Sequence, residues 1–457
     1  MEVDVLVVGA GPAGLSAAAE LRRLGAGRVL VADREAAPGG VPRHSWHTGY
    51  GLRDLRRIMT GPAYARALAA AAAAAGARIR PGTTVTGWEL GESGAGGAPG
   101  PRLALTMTSA CGAETVHAAA VLLATGCRER PRAARLVPGD RPAGVMTTGE
   151  LQQRVYLNGE RLAGRALVVG AEHVSFSAMT TLAHAGADVV ALVTSSARQQ
   201  SYAAFRLAAA ARWRVPVWTS TAVRRIDARA DGAGRGGPGA RARLAGVQVA
   251  DCRTGAARFV QCDWVVFTGD WIPDHELARA AGLDIDPGTR GPAIDAALAT
   301  SAPGVFAAGN LVHAAETADV AALSGRHAAR SIAAALRAAR RSAGAGEGAV
   351  PDADASAAAG GGPEPGVRIP VRAEPPLLWI SPNVIRPAAR ETLPPRGRFV
   401  LRAGEFRRLA RLEVRQDGRL LARSRPVRLI PARPVHLGAG WLPRVDPSGG
   451  PVSVFAP

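Results

Sequence analysis

The stretch Val5-Leu-Val-Val-Gly9-Ala-Gly11-Pro12-Ala13-Gly14-Leu-Ser-Ala-Ala-Ala-Glu20-Leu constrains the chain more than any other. Apolar β-formers run directly into G-x-G-x-x-G, and an Ala/Leu-rich helical pattern follows at once. Gly9 permits the tight turn out of the strand. Gly11 lacks a Cβ, so a pyrophosphate can lie against the backbone there. Gly14 lets the helix pack closely on the strand, and the helix N-terminus offers free N–H groups to phosphates. A second strand, Val29-Leu-Val-Ala, ends in Asp33, about 20 residues on, where a βαβ dinucleotide fold places its ribose-binding carboxylate.

Composition matters for what it excludes. All 56 basic residues are Arg, and the formal net charge is +19. With heavy Ala, Gly and Pro usage, this points to biased coding, so part of the charge carries no function. The four Cys (111, 127, 252, 262) never reach C-x-x-C spacing. They read as isolated reduced thiols of a cytoplasmic protein, not as a disulfide frame, a redox pair or a metal site. The N-terminus enters the first strand directly, with no signal-peptide pattern. The Ala-rich run at 67–77 is too short and weakly apolar to span a bilayer.

After Asp33 and Arg34 the chain reaches the doublet Gly39-Gly40. The glycine fingerprint, the strand-end acid and this doublet resemble the FAD domain of flavoproteins with two dinucleotide-binding domains, the pyridine nucleotide-disulfide oxidoreductase superfamily. The resemblance implies that Asp33 holds the adenosine ribose, with Arg34 beside it. It also implies that the loop after Gly40 runs along the flavin. In disulfide reductases two redox cysteines follow the doublet; their places here hold Pro42 and His47, so dithiol chemistry is absent. His44, Trp46, His47 and Tyr50 can wall a flavin. His titrates near neutrality, so His44 and His47 are the proton-handling candidates; the alternative is that they only pack the loop.

A helix from Gly61 ends at Gly76, and 78–88 reads as a strand pair whose backbone near Val85 would, by the resemblance, meet the adenine. Residues 91–101 read as a loop. Leu103–Thr108 and Glu114–Ala119 read as a hairpin arm. Val121-Leu-Leu-Ala-Thr125-Gly126 matches the family's A-T-G motif at the first crossing between domains. The segment Val137 to Gln153 is similar to a narrower branch, the flavoprotein subunits of hydrogen cyanide synthase, opine oxidase and sarcosine oxidase α. Members of that branch oxidise C–N or C–O bonds, or relay electrons in multi-subunit complexes. They often carry a Cys-rich iron–sulfur module, for which no residues are present here.

Gly164-Arg-Ala-Leu-Val-Val169-Gly170, a helix to Ala185 and a strand Asp188–Val193 form a second βαβ unit. Its turn, Gly170-Ala-Glu172-His173-Val-Ser175, has lost the signature. Glu172 replaces the glycine at which pyrophosphate approaches, and a carboxylate there repels phosphate. The fold should persist while NAD(P)H binding is doubtful. Trp264-Val-Val-Phe-Thr268-Gly269 mirrors the first Thr-Gly strand. Val305-Phe-Ala-Ala-Gly309-Asn310 resembles the family's second FAD motif, with Asn310 in place of the Asp that binds the ribityl chain. A long helix should follow to about Ala338, its positive end toward the flavin.

The expected fold class is α/β: an FAD domain (1–130 and 285–340) interrupted by an NAD(P)-type Rossmann domain (145–275). Residues 229–242 read as a disordered loop and 340–366 as a flexible linker. Residues 367–457 read as a small antiparallel β domain with a hairpin at Asp417-Gly418. This last stretch carries 17 Arg against 6 acids, either a partner-docking surface or solvated Arg.

The sequence therefore predicts an FAD-dependent oxidoreductase, one component of a larger system that passes electrons from an organic substrate or partner chain. Gly9, Gly11, Pro12, Ala13, Gly14, Asp33, Arg34, Gly40, Val85, Thr125, Gly126, Gly309 and Asn310 would hold the cofactor. The alternatives are an NAD(P)H-dependent reductase and a non-catalytic electron-transfer scaffold docked through its basic tail. No nucleic-acid partner and no metal is expected.

Overall fold

The computed structural model describes residues 1–89, 103–203, 207, 214–229, 242–314, 316–344, 366–387 and 392–457. The loops expected at 91–101 and 229–242, and the linker at 340–366, lie wholly or mostly outside these residues.

The chain divides into two units. The first holds residues 1–43, 49–127 and 273–457. Its central sheet runs Arg78–Arg80, Val29–Ala32, Glu2–Val8, Gly112–Leu123, Leu103–Ser109, Thr83–Glu89, and Val305–Ala307 also pairs with Gly112–Leu123. Pairing is parallel from Arg78–Arg80 across to Val305–Ala307, with Val5 opposite Val29 and Val7 opposite Leu122. Strands buried on both faces must be apolar throughout, and Val5, Leu6 and Val7 are fully buried. Burying each such side chain contributes about 1.5–3 kcal/mol. Helix Pro12–Arg23 begins with a proline that needs no partner for its missing N–H. The long helix Ala318–Gly344 lies against it. At their crossing a Cβ on Gly325 would come 2.0 Å from the Ala13 carbonyl oxygen.

Two expectations need correction. The segment 78–88 is no strand pair: Arg78–Arg80 pairs with Val29–Ala32, whereas Thr83–Glu89 pairs with Leu103–Ser109. The stretches Glu114–Ala119 and Val121–Leu123 are one strand, Gly112–Leu123. Its first part joins the antiparallel arm and its second part the parallel sheet, so the polarity changes without a turn.

The C-terminal residues of this unit build small sheets around Phe399, Leu401, Val414 and Trp441. Asp417 and Gly418, both at positive φ, make the expected hairpin between Glu413–Gln416 and Arg419–Arg423. Pairing is antiparallel except between Ile369–Ala373 and Val452–Phe455, which is parallel. Asn383 Oδ1 accepts from Ile294 N at 2.8 Å, and Arg386 pairs with Asp295 at 2.7 Å. These contacts fasten the β sheets to the α/β part of the same unit.

The second unit holds residues 44–48 and 128–272. Its parallel sheet runs Val145–Thr147, Trp264–Phe267, Gly164–Val169, Ala187–Val193, Val217–Trp218, with helices Thr148–Tyr156 and His173–Ala185. An antiparallel sheet of Thr221–Arg229, Arg243–Asp251 and Ala257–Gln261 completes it.

Candidate functional site

In the first unit the glycine turn forms a cradle at the carboxyl ends of the parallel strands. Gly9 has φ +105°, and a Cβ on it would lie 2.4 Å from the Ala124 carbonyl oxygen. A Cβ on Gly14 would lie 1.9 Å from the Gly9 oxygen, so the helix can stand this close only without one. At Gly11 a Cβ would meet nothing within 4 Å. That opening, at the N-cap of Pro12–Arg23, is where backbone must face a ligand.

The predicted residues gather around it. Gly39 N donates to Ala10 O at 2.8 Å. Gly40, at φ +60°, passes so near that a Cβ would be 2.9 Å from Gly11 Cα. Gly309 does the same toward Ala13, 2.8 Å from its Cβ. Asp33 is buried, with Oδ2 accepting from Ala10 N at 2.5 Å and Oδ1 from Glu35 N at 2.8 Å. Thr83 N donates to Asp33 O at 2.8 Å, which brings the strand of Val85 to the same edge. Thr125 Oγ1 donates to Asp274 O at 2.8 Å, and Asp274 N to Gly126 O at 3.0 Å. Arg34 is exposed and lies 3.6 Å from Asp274.

Asn310 is occupied by its own loop. Its Oδ1 accepts from Glu316 N at 3.1 Å and its Nδ2 donates to Glu316 O at 3.2 Å. Sequence reasoning missed what lies beyond that clamp. Glu316 and Arg402 form a buried ion pair at 3.3 Å, the arginine coming from strand Arg398–Ala403 of the C-terminal sheets. Burial raises the Glu316 carboxyl and lowers the Arg402 guanidinium from their ordinary values, each opposed by the other's charge. Arg53 N and side chain reach Asp319, both at 3.1 Å, at the start of the long helix.

His44 and His47 belong to the second unit, whereas the cradle residues all belong to the first. His44 is buried at the end of the short turn Val41–His44. His47 is exposed, its Nδ1 2.8 Å from Thr48 O. Between them Trp46 stacks on Tyr156 at 5.5 Å.

The second unit repeats the strand–turn–helix with different contents. Gly170 N donates to Val193 O at 2.7 Å, as Gly9 N does to Ala32 O at 2.8 Å. Glu172 stands where Gly11 stands in the first turn, and its carboxylate is folded inward. Oε1 accepts from Thr268 Oγ1 at 2.5 Å and Oε2 from Ala171 N at 2.9 Å. Ser175 Oγ lies 2.7 Å from Thr268 Oγ1. A second carboxyl, Glu129, was also missed. It is buried, with Oε2 accepting from Gly149 N at 2.8 Å and Oε1 from Gly269 N at 3.3 Å. Burial, and secondarily the Glu172 charge, push its carboxyl up to about 7 against its hydrogen bonds. Arg135 Nη2 donates to Gly269 O at 2.7 Å and Thr268 O at 3.0 Å.

The two units therefore differ where ligands would bind. The first presents bare backbone and an uncrowded helix N-terminus, which fits the pyrophosphate of a dinucleotide such as FAD. The second presents carboxylates, which do not fit one.

Two sheets with parallel cores, each with a glycine turn leading into a helix, define a double dinucleotide-binding type of fold. The sequence profile of the pyridine nucleotide-disulphide oxidoreductase family matches residues 3–325, and the chain belongs to that family of FAD-dependent oxidoreductases. It is 35% identical over 190 residues to an opine oxidase subunit of Agrobacterium tumefaciens, covering 40% of this chain and 35% of that protein. It is 36% identical over 149 residues to the corresponding opine oxidase subunit of Rhizobium meliloti, covering 33% and 27%. The matched stretch thus spans about a third of these relatives or less. Thioredoxin reductase of T. acidophilum shares the fold, with a TM-score of 0.58, 22% identity, and coverage of 73% of this chain and 98% of that one. Among the described residues no helix is long and apolar enough to cross a membrane.

Proposed function

We propose that this chain is the flavoprotein subunit of a dehydrogenase or oxidase of several subunits. It would take electrons from an organic substrate or a partner chain and pass them on. The observation that carries this reading is the open face at Gly11, flanked by Gly9, Gly14, Gly40 and Gly309, whose close packing leaves no room for side chains. Gly9 to Gly14, Asp33, Arg34, Gly40, Val85, Thr125, Gly126, Gly309 and Asn310 would hold FAD. When bound, FAD supplies a two-electron acceptor that can release electrons singly. The chain's own part is to bind and orient it, with the helix Ala318–Gly344 directing its positive end toward developing negative charge. His44 and His47 are assigned proton transfer on residue type and on their place in the loop after Gly40. The likeness to the opine oxidase subunits supports placing this chain in a multi-chain enzyme.

The test is to purify the full chain, release its cofactor by denaturation and identify it, then offer amino-acid-derived secondary amines with an artificial acceptor. Bound FAD with turnover only after a partner chain is added supports the proposal. A chain that retains no flavin on purification or reconstitution overturns it. A second reading, an electron-transfer scaffold without its own substrate, is favoured by the exposed Arg408, Arg411, Arg425 and Arg428 of the C-terminal sheets. Pull-down of a partner by the full chain, lost at high salt and on replacing these four arginines, would support it.

A further inference from the structure

The two turns differ in which acid satisfies the turn amide. In the first, the acid at the end of the second strand satisfies the amide of the turn: Asp33 Oδ2 takes Ala10 N. Its other oxygen takes Glu35 N, two residues on. In the second unit the same place holds Thr194. The match is fixed by hydrogen bonds, since Thr194 Oγ1 takes Ser196 N at 3.2 Å, as Asp33 takes Glu35 N. Thr194 does not serve the turn amide. Ala171 N is instead taken by Glu172, reaching back from the position that is Gly11 in the first turn. The Glu172 carboxylate also covers the backbone of the Thr268-Gly269 strand end, where a Cβ on Gly269 would lie 2.6 Å from its Oε1. Glu129 takes the Gly269 and Gly149 amides.

We infer that the second dinucleotide fold is closed to pyridine nucleotides by Glu172, which has taken over the amide-satisfying duty of a strand-end acid and in doing so fills the pyrophosphate position. An unpaired buried amide costs more than a hydrogen bond returns, so the carboxylate is held there. A pyrophosphate entering would meet like charge and lose the approach that a glycine allows. The inference goes beyond the proposed function, which stands whichever way this one falls.

The test is isothermal titration of NADH and NADPH into the full-length protein, beside the variants Glu172→Gly and Glu172→Gly with Thr194→Asp. The double variant returns the amide to a strand-end acid and restores the glycine. The expected result is no saturable binding to the parent chain at millimolar nucleotide. The double variant should bind at least about 10-fold more tightly, which corresponds to about 1.4 kcal/mol. The single variant should bind less well than the double, because its Ala171 amide has lost its partner. Micromolar binding by the parent chain would overturn the inference. So would a double variant that keeps the parental melting temperature and circular dichroism yet gains no affinity. Flavin content is followed in parallel and should not change.

Discussion

Asp33 and Ala10 are joined at 2.5 Å, carboxylate to turn amide, inside the glycine cradle. The acid that family resemblance assigns to ribose binding is therefore also a strut of the turn. Asp33→Ala leaves Ala10 N buried without a partner, a change that costs about 1–3 kcal/mol. The expected outcome is a lowered melting temperature even in flavin-free protein. Asp33→Asn keeps one acceptor oxygen and should lose less stability than Asp33→Ala. Thermal melts of both variants with flavin stripped would show whether the strut exists apart from any ligand.

Gly11 and Gly14 separate binding from folding. A Cβ at Gly11 meets nothing within 4 Å, and its φ of −77° suits any residue. Gly11→Ala should fold normally and weaken FAD at least about 10-fold, roughly 1.4 kcal/mol, read by flavin fluorescence on reconstitution. Gly14→Ala drives a methyl to 1.9 Å from the Gly9 oxygen and should fail to accumulate as folded protein. Equal flavin affinity in Gly11→Ala and the parent would refute the cradle as the pyrophosphate site.

The glycine cradle was legible in the sequence because its constraints are local. A strand, a tight turn and a close helix each demand a small residue at a fixed offset. The loss of the signature at Glu172 was legible too, but its cause was not. Seeing why an acid stands there requires knowing that Thr194 matches Asp33 and that the Glu172 side chain turns back onto Ala171. Glu129 was hidden for a different reason. It lies in the densely charged run Arg128-Glu-Arg-Pro-Arg132, and tertiary contact with Gly149 and Gly269 accompanies its burial. The two strands expected at 78–88 are present but do not pair with each other, because short β patterns reveal extension but not partners; each pairs with a different strand of the main sheet. Asn310 was found by motif, and its clamp on Glu316 is local, but the Arg402 behind Glu316 comes from a distant segment of the chain.

Glu129 gives a pH dependence of definite sign. Its carboxyl is pushed up to about 7 in the folded chain from an ordinary 4.5, with burial as the largest cause. Between those values the folded state holds a proton that the unfolded state has released. Stability therefore falls as pH rises through this window, and the loss is complete above about 7. The ceiling is roughly 3 kcal/mol. Glu129→Gln removes the titration while keeping an acceptor for Gly149 N. Urea midpoints at about pH 4.5 and about pH 7.5 should differ less in this variant than in the parent. An unchanged difference would remove Glu129 as its source.

Arg402 and Glu316 carry the link between the C-terminal sheets and the loop that Asn310 closes. The pair is buried at 3.3 Å, and the guanidinium also lies 5.3 Å from the Trp379 ring, which stacks on His313 at 5.1 Å. Arg402→Ala would strand a carboxyl in a buried site. Removing one partner of such a pair typically costs about 3–5 kcal/mol. Burial already raises the Glu316 carboxyl, so at acid pH it can take a proton and relieve part of that cost. The deficit of Arg402→Ala should thus shrink as pH falls. Arg402→Met with Glu316→Gln removes both charges and should recover much of the stability, because the cost comes from the orphaned charge. Asn310 hydrogen-bonds the backbone of Glu316 and not its carboxyl, so its clamp survives in the double variant. FAD affinity should therefore recover alongside stability, whereas Asn310→Ala should lose affinity with the ion pair intact. Unfolding midpoints and flavin reconstitution measured on the same variants would separate the two contacts. A double variant as unstable as Arg402→Ala would show that packing of the guanidinium on Trp379, rather than its charge, holds the loop.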